Sequence, residues 1–116
     1  MELSGMNCVQ PREGDRPLAA GKAAEMARLV EHWTLGKTEL SREFTFPSFT
    51  ETMLFVNKVA VEAEGQGHHP DIYISYRKVC LTLTTHKIGG LSQNDFIMAA
   101  RIDGLTAAAP AEAAAL

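Results

Sequence analysis

The 116-residue chain lacks several features, and each absence narrows what it can do. Its two cysteines, Cys8 and Cys80, make no CxxC pair and no disulfide framework. They fit a reducing compartment, so a cytoplasmic protein is expected, with Cys80 a small strand residue. Positive charge is not in excess: 11 Lys and Arg against 14 Asp and Glu leave a net charge of −3, which offers nucleic acid no electrostatic footprint. No apolar run approaches the roughly 20 residues of a membrane span. The opening MELSGMNCVQPREGDRP lacks the basic-then-apolar order of a secretory signal. No HExxH, GxGxxG or P-loop pattern is present, so Gly89-Gly90 reads as a tight backbone turn rather than a phosphate cradle. What remains is an ordinary globular composition, 46% apolar and 22% charged, in a length that suits one domain.

Residues 1–20 carry two prolines, two glycines and several charges without periodicity, and are expected to form a flexible extension. The alanine-rich stretch 106–116, interrupted by Pro110, reads as a flexible tail. A single domain over 21–105 lies between them. Within it, Ala23, Met26, Ala27 and Val30 recur at helical spacing over 22–33. Residues 34–46 read as short strands, with Gly36-Lys37 and Ser41-Arg42 as candidate turns. Ser48-Phe49-Thr50-Glu51 after Pro47 fits a capping box, and opens a helix with Phe49, Met53, Val56, Ala60 and Ala63 as its apolar stripe. Gly65 and Gly67 should end it near Glu64. A further helix starts at Ser92-Gln93-Asn94-Asp95, turning Phe96, Ala99 and Ala100 inward. The order α-β-β-α-β-β-α predicts an α+β domain, a four-stranded antiparallel sheet with helices packed on one face.

Residues 72–86 read as a hairpin, since Ile72, Ile74 and Tyr76 alternate with polar residues and so do Val79, Leu81 and Leu83. A turn at Arg77-Lys78 sets Tyr76 across from Val79, Ile74 from Leu81 and Ile72 from Leu83, with the apolar sets on one face. Extended past Pro70, this register brings His69 opposite His86.

Three of the four histidines, His68, His69 and His86, thus converge with carboxylates. Imidazoles titrate near neutrality, which suits paired proton donation and removal. Glu64 stands in the last turn of its helix, where a negative charge opposes the macrodipole. Four residues before His68, it is placed to orient an imidazole. Asp95 can cap the following helix and also reach the site. A zinc site ranks second, because adjacent His68 and His69 point apart on an extended chain.

The segments Glu64-Gly65-Gln66-Gly67-His68-His69-Pro70-Asp71, Tyr76, Val79 and Thr85-His86-Lys87-Ile88-Gly89-Gly90-Leu91-Ser92 with Asp95 resemble the pterin-4a-carbinolamine dehydratases. So do Trp33 and the run Phe44 to Phe49 upstream, and the likeness extends over roughly residues 20 to 103. The resemblance implies dehydration of 4a-hydroxytetrahydrobiopterin to quinonoid dihydropterin. It implies His68, His69 and His86 as the catalytic trio, Glu64 and Asp95 as supports, and Trp33, Asp71 and Thr85 as substrate-binding residues. Neither a metal nor another cofactor is implied. The expected partners are the pterin itself and further copies of the chain in a homodimer or homotetramer, with no nucleic acid and no membrane. Ile72 and Ile88 depart from animal members, which often have tryptophan and cysteine there, and Asp71 stands in place of their glutamate. Some relatives have binding roles instead, as dimerisation cofactors or assembly factors; the assembly-factor branch tends to lose the histidine pattern kept here.

Overall fold

The computed structural model describes residues 2–106. Its longest helix, α2 (Phe49–Gln66), begins where Ser48 turns extended and its Oγ accepts the Glu51 N–H at 3.1 Å. That is half of the expected capping box; the Glu51 carboxylate makes no return bond among the described residues. The helix runs past Glu64 and takes Gly65 in its stride. It ends at Gly67, whose φ of +64° is the left-handed conformation glycine adopts at little cost. Its buried face is Thr52, Phe55, Val56, Val59 and Ala63, rotated from the expected stripe. Thr52 tolerates full burial because its hydroxyl donates to the Ser48 carbonyl at 2.8 Å. Phe49, Leu54 and Val61 are exposed, so apolar residues ring the helix and their count alone does not select the inward side.

The sheet is antiparallel throughout, in the order β1-β2-β4-β3, from β1 (Thr34–Leu35), β2 (Leu40–Thr45), β3 (Asp71–Ser75) and β4 (Lys78–Leu83). Ser41-Arg42, a candidate turn by sequence, lies inside β2 and pairs with Thr82 and Leu81. The central strand β4 buries Val79, Leu81 and Leu83 on one face, while Cys80 and Thr82 on the other are half-buried. α1 (Ala20–Ala27), extended by the 3-10 turn Arg28–Val30, α2 and α3 (Gln93–Thr106) complete an α+β fold. The last helix is the most enclosed, with Phe96, Ile97, Met98, Ala99 and Ile102 all buried.

The hairpin keeps the expected faces but not the expected register. Ile72 pairs with Leu81 and Ile74 with Val79, and the turn is Tyr76-Arg77, with Tyr76 at φ +56°. This is a shift of two residues, which leaves every side chain on its own face because the strand period is two. The ladder closes at Asp71–Thr82, so His69 does not face His86 across it. His86 instead opens a 3-10 turn, His86–Ile88, outside any strand.

Residues 2–18, expected to be flexible, make specific contacts with α2 and α3. Leu3 is buried at 3% exposure, and the Arg101 guanidinium donates to the Met6 carbonyl from Nε at 2.9 Å and from Nη2 at 2.6 Å. The expected tail lies outside the described residues from 107 onward.

Candidate active site

The candidate polar residues lie on two stretches of chain, two walls joined through the His68–Asp95 bond. One is the end of α2 and the extended stretch after it, carrying Glu64, His68, His69 and Asp71. The other runs from Thr85 to the first turn of α3 and carries His86, Ser92 and Asp95. Between β4 and α3 the chain is clipped by an isolated bridge, with the Thr85 N–H donating to the Gly90 carbonyl at 2.9 Å. Gly89, at φ +72°, closes the turn inside that clip and leaves His86 exposed.

Asp95 is the hub. Its side chain is wholly buried, and a buried carboxylate requires hydrogen-bond donors on its oxygens. Three converge on it. The Ser92 N–H (2.9 Å) and the Thr85 hydroxyl (2.8 Å) donate to Oδ2, and His68 Nε2 lies 2.6 Å from Oδ1. With Oδ2 already taking two donors, the complementary arrangement has His68 donate from Nε2 to Oδ1. Ser92 Oγ lies 2.7 Å from Thr85 Oγ1 and also accepts the Asn94 N–H at 3.2 Å. Because Thr85 spends its proton on Asp95, Ser92 donates to Thr85. Among the described residues no buried side-chain nitrogen or oxygen is left without a partner.

His69 has the opposite setting. Its side chain is 58% exposed, and Nε2 lies 2.5 Å from Oε2 of Glu64, itself 78% exposed. Glu64 therefore pairs with His69, not with His68 as its spacing led one to expect. Adjacent residues on an extended stretch face opposite ways, and the ring that faces inward meets Asp95 first. Asp71 is exposed at the start of β3, and its carboxylate makes no hydrogen bond among the described residues.

Two expected substrate contacts have other neighbours. Trp33 is a core residue, 5% exposed. It meets Phe44 edge-on at 6.1 Å and donates from Nε1 to Asp103 at 2.8 Å, so neither ring face is open for stacking. Arg42 shares that Asp103 oxygen at 2.6 Å and lies over the Phe44 ring. Thr85, 3% exposed, is occupied by Asp95 and Ser92. Sequence reasoning missed Ser92 as part of the hub, although its place three residues before Asp95 in a cap sequence was the signal.

Among the described residues no group of three or more His, Cys, Asp or Glu is placed to hold a metal ion, and no helix is long and apolar enough to cross a membrane. Burial raises the Cys8 thiol from the ordinary 9.0 to about 11, against a lowering by Arg101.

Comparison with known proteins shows the family of the chain. A protein of Nitrosospira multiformis named "Putative pterin-4-alpha-carbinolamine dehydratase" is 44% identical over 106 residues, spanning 90% of this chain and 92% of its own. One of the same name from Chlorobium limicola is 41% identical over 108 residues, spanning 90% and 96%. Among solved structures, the transcriptional coactivator/pterin dehydratase from Brucella melitensis superposes with a TM-score of 0.73 at 28% identity, covering 78% of this chain and 98% of that one. A pterin dehydratase-like protein identified as a RuBisCO assembly factor in the alpha-carboxysome gives 0.53 at 27% identity, covering 63% and 84%. The family described as pterin 4 alpha carbinolamine dehydratase matches residues 16–105. On that match, and on relatives above 40% identity along most of its length, the chain belongs to the pterin 4 alpha carbinolamine dehydratase family.

Proposed function

We propose that this protein dehydrates 4a-hydroxytetrahydrobiopterin to quinonoid dihydropterin, a step that recycles the cofactor of aromatic amino-acid hydroxylases. The observation that carries the reading is that two adjacent histidines each have their own carboxylate, His68 with Asp95 at 2.6 Å and His69 with Glu64 at 2.5 Å. The reaction needs two proton movements and no electron transfer. The N5 lone pair expels the 4a hydroxyl, the leaving oxygen takes up a proton and becomes water, and N5 gives up its own. Exposed His69 and His86 are the groups that can exchange protons with a bound pterin, one as acid and one as base. Glu64 orients His69 through their hydrogen bond. His68 completes the trio, held by Asp95, and the exposed Asp71 carboxylate accepts from the pterin's ring N–H groups.

Assembly as a homodimer or homotetramer belongs to the same reading. β3 is the edge of the sheet, and all five of its residues are exposed, including Tyr73 at 66%. A second reading, a binding role without catalysis, rests on the likeness to the RuBisCO assembly factor. The deciding experiment follows the decay of the pterin carbinolamine with and without purified protein and chelator. Acceleration over the buffer rate, undiminished by chelator, is expected. A rate equal to buffer rejects the enzyme, and a rate lost with chelator favours a metal-dependent one.

A further inference from the structure

The N-terminal segment does more than cover the core, because it bonds to both walls of the site. On the α2 side, the Cys8 N–H donates to Gln66 Oε1 at 2.7 Å and Gln10 Nε2 donates to the Gly67 carbonyl at 3.0 Å. Those two residues immediately precede His68 and His69. On the α3 side, the Val9 N–H donates to Asn94 Oδ1 at 2.9 Å, and Asn94 Nδ2 donates back to the Val9 carbonyl at 2.7 Å. The Leu18 N–H then donates to the Leu91 carbonyl at 2.8 Å. Asn94 is 5% exposed and precedes Asp95, the hub that holds His68.

These contacts are selective for residue type. The Asn94 amide returns both hydrogen bonds of one backbone unit, as a neighbouring strand would. Leucine can offer neither bond, and an ionised aspartate only the acceptor. Two glycines at the site are matched to the same segment. Gly67 has a positive φ, and a Cβ there would also lie 2.8 Å from Gln10 Nε2, the movable end of a side chain. Gly90 has no positive φ to account for it; a Cβ there would meet Pro17 Cβ at 2.9 Å, closer than carbon atoms approach. Of the Gly89-Gly90 pair, Gly89 serves the turn and Gly90 makes room for Pro17.

We propose that residues 8–18 act as a clamp that fixes the separation of the two walls, with Asn94 as its positioning residue and Gly90 as its seat. The clamp sets where Asp95 holds His68 and makes no hydrogen bond of its own to the His68, His69 or His86 ring. It thus deepens the dehydratase reading, on which only the kinetic part of its test rests.

The test uses the full-length chain and three variants: Asn94→Leu, Gly90→Ala, and Gly90→Ala combined with Pro17→Gly. Hydrogen exchange reports on residues 8–18, the His68 Nε2–H proton resonance reports on the bond to Asp95, and kcat and KM report on turnover. Asn94→Leu and Gly90→Ala should raise exchange in the segment and shift or broaden the His68 signal. They should lower kcat by roughly tenfold with KM within about twofold, as a small misplacement of a catalytic group does. Pro17→Gly should restore Gly90→Ala to within about twofold of wild type, because it removes the contact that a Cβ creates. Four results overturn the clamp. They are unchanged exchange in Asn94→Leu, a loosened segment with unaltered His68 signal, a loosened segment with unaltered turnover in an active enzyme, and a Gly90→Ala defect that Pro17→Gly fails to relieve. If the wild-type chain shows no dehydration, the functional reading fails separately, and the His68 resonance still decides the clamp.

Discussion

His68 and His69 are neighbours in the chain and near-opposites in environment. The first ring is 10% exposed and bonded to a carboxylate with no exposure at all; the second is 58% exposed and bonded to one that is 78% exposed. The same pairing of imidazole with carboxylate therefore has different consequences in the two places. A buried pair must keep its partners, since removing one strands the others away from water. An exposed pair adds little to stability, because water and salt screen it, and its ring remains free to exchange protons. On the proposed function, the inner pair fixes the position of His68 and the outer pair carries a proton transfer.

The largest effect should follow from breaking the inner pair. Asp95→Ala strands the His68 ring, the Thr85 hydroxyl and the Ser92 N–H, and should cost about 3–5 kcal/mol in urea unfolding. The outer pair should break the other way. His69→Ala should lower kcat by about a hundredfold or more, equivalent to about 2.7 kcal/mol, yet change unfolding stability by less than about 0.5 kcal/mol. Glu64→Gln keeps a hydrogen-bond acceptor but removes the charge. It should reduce kcat by roughly threefold to tenfold and stability by no more than about 0.5 kcal/mol. A stability loss for His69→Ala as large as that for Asp95→Ala would erase the distinction.

The smallest effect lies on the inner side, at Cys8. Burial raises its thiol from 9.0 to about 11, so the folded chain holds that proton more tightly than the unfolded one. The resulting stability is fully present below pH 9.0 and is lost as pH rises through about 11. Alkylation of Cys8 by iodoacetamide should be slow at pH 8 for the same reason and faster near pH 11. Equal rates with a small free thiol at pH 8 would contradict the burial.

The sequence made some of this legible. Ser48 marked a helix start because a capping side chain has to sit at that one position, and the alternation in β4 marked its buried face. The hairpin register was not recoverable from alternation, since a shift of two residues preserves the pattern. The N-terminal segment was opaque for another reason. It binds through scattered hydrogen bonds to Gln66, Gly67, Leu91, Asn94 and Arg101, and such contacts leave no period to read. The family resemblance singled out the histidines, Glu64 and Asp95. Which carboxylate meets which histidine depended on the side each ring takes, a property of the packed chain. Trp33 shows the converse: a lone tryptophan drew attention as a pterin contact, and its indole is held in the core by Phe44 and Asp103.

The most direct measurement is carbinolamine dehydration by a His69→Ala, His86→Ala double variant beside the wild type, with thermal unfolding of both. If the exposed imidazoles carry the proton transfers, the double variant loses all or nearly all acceleration while unfolding within a few degrees of wild type. A double variant that retains activity within about threefold would place the chemistry elsewhere, since general acid–base groups are worth about 10²–10⁴-fold.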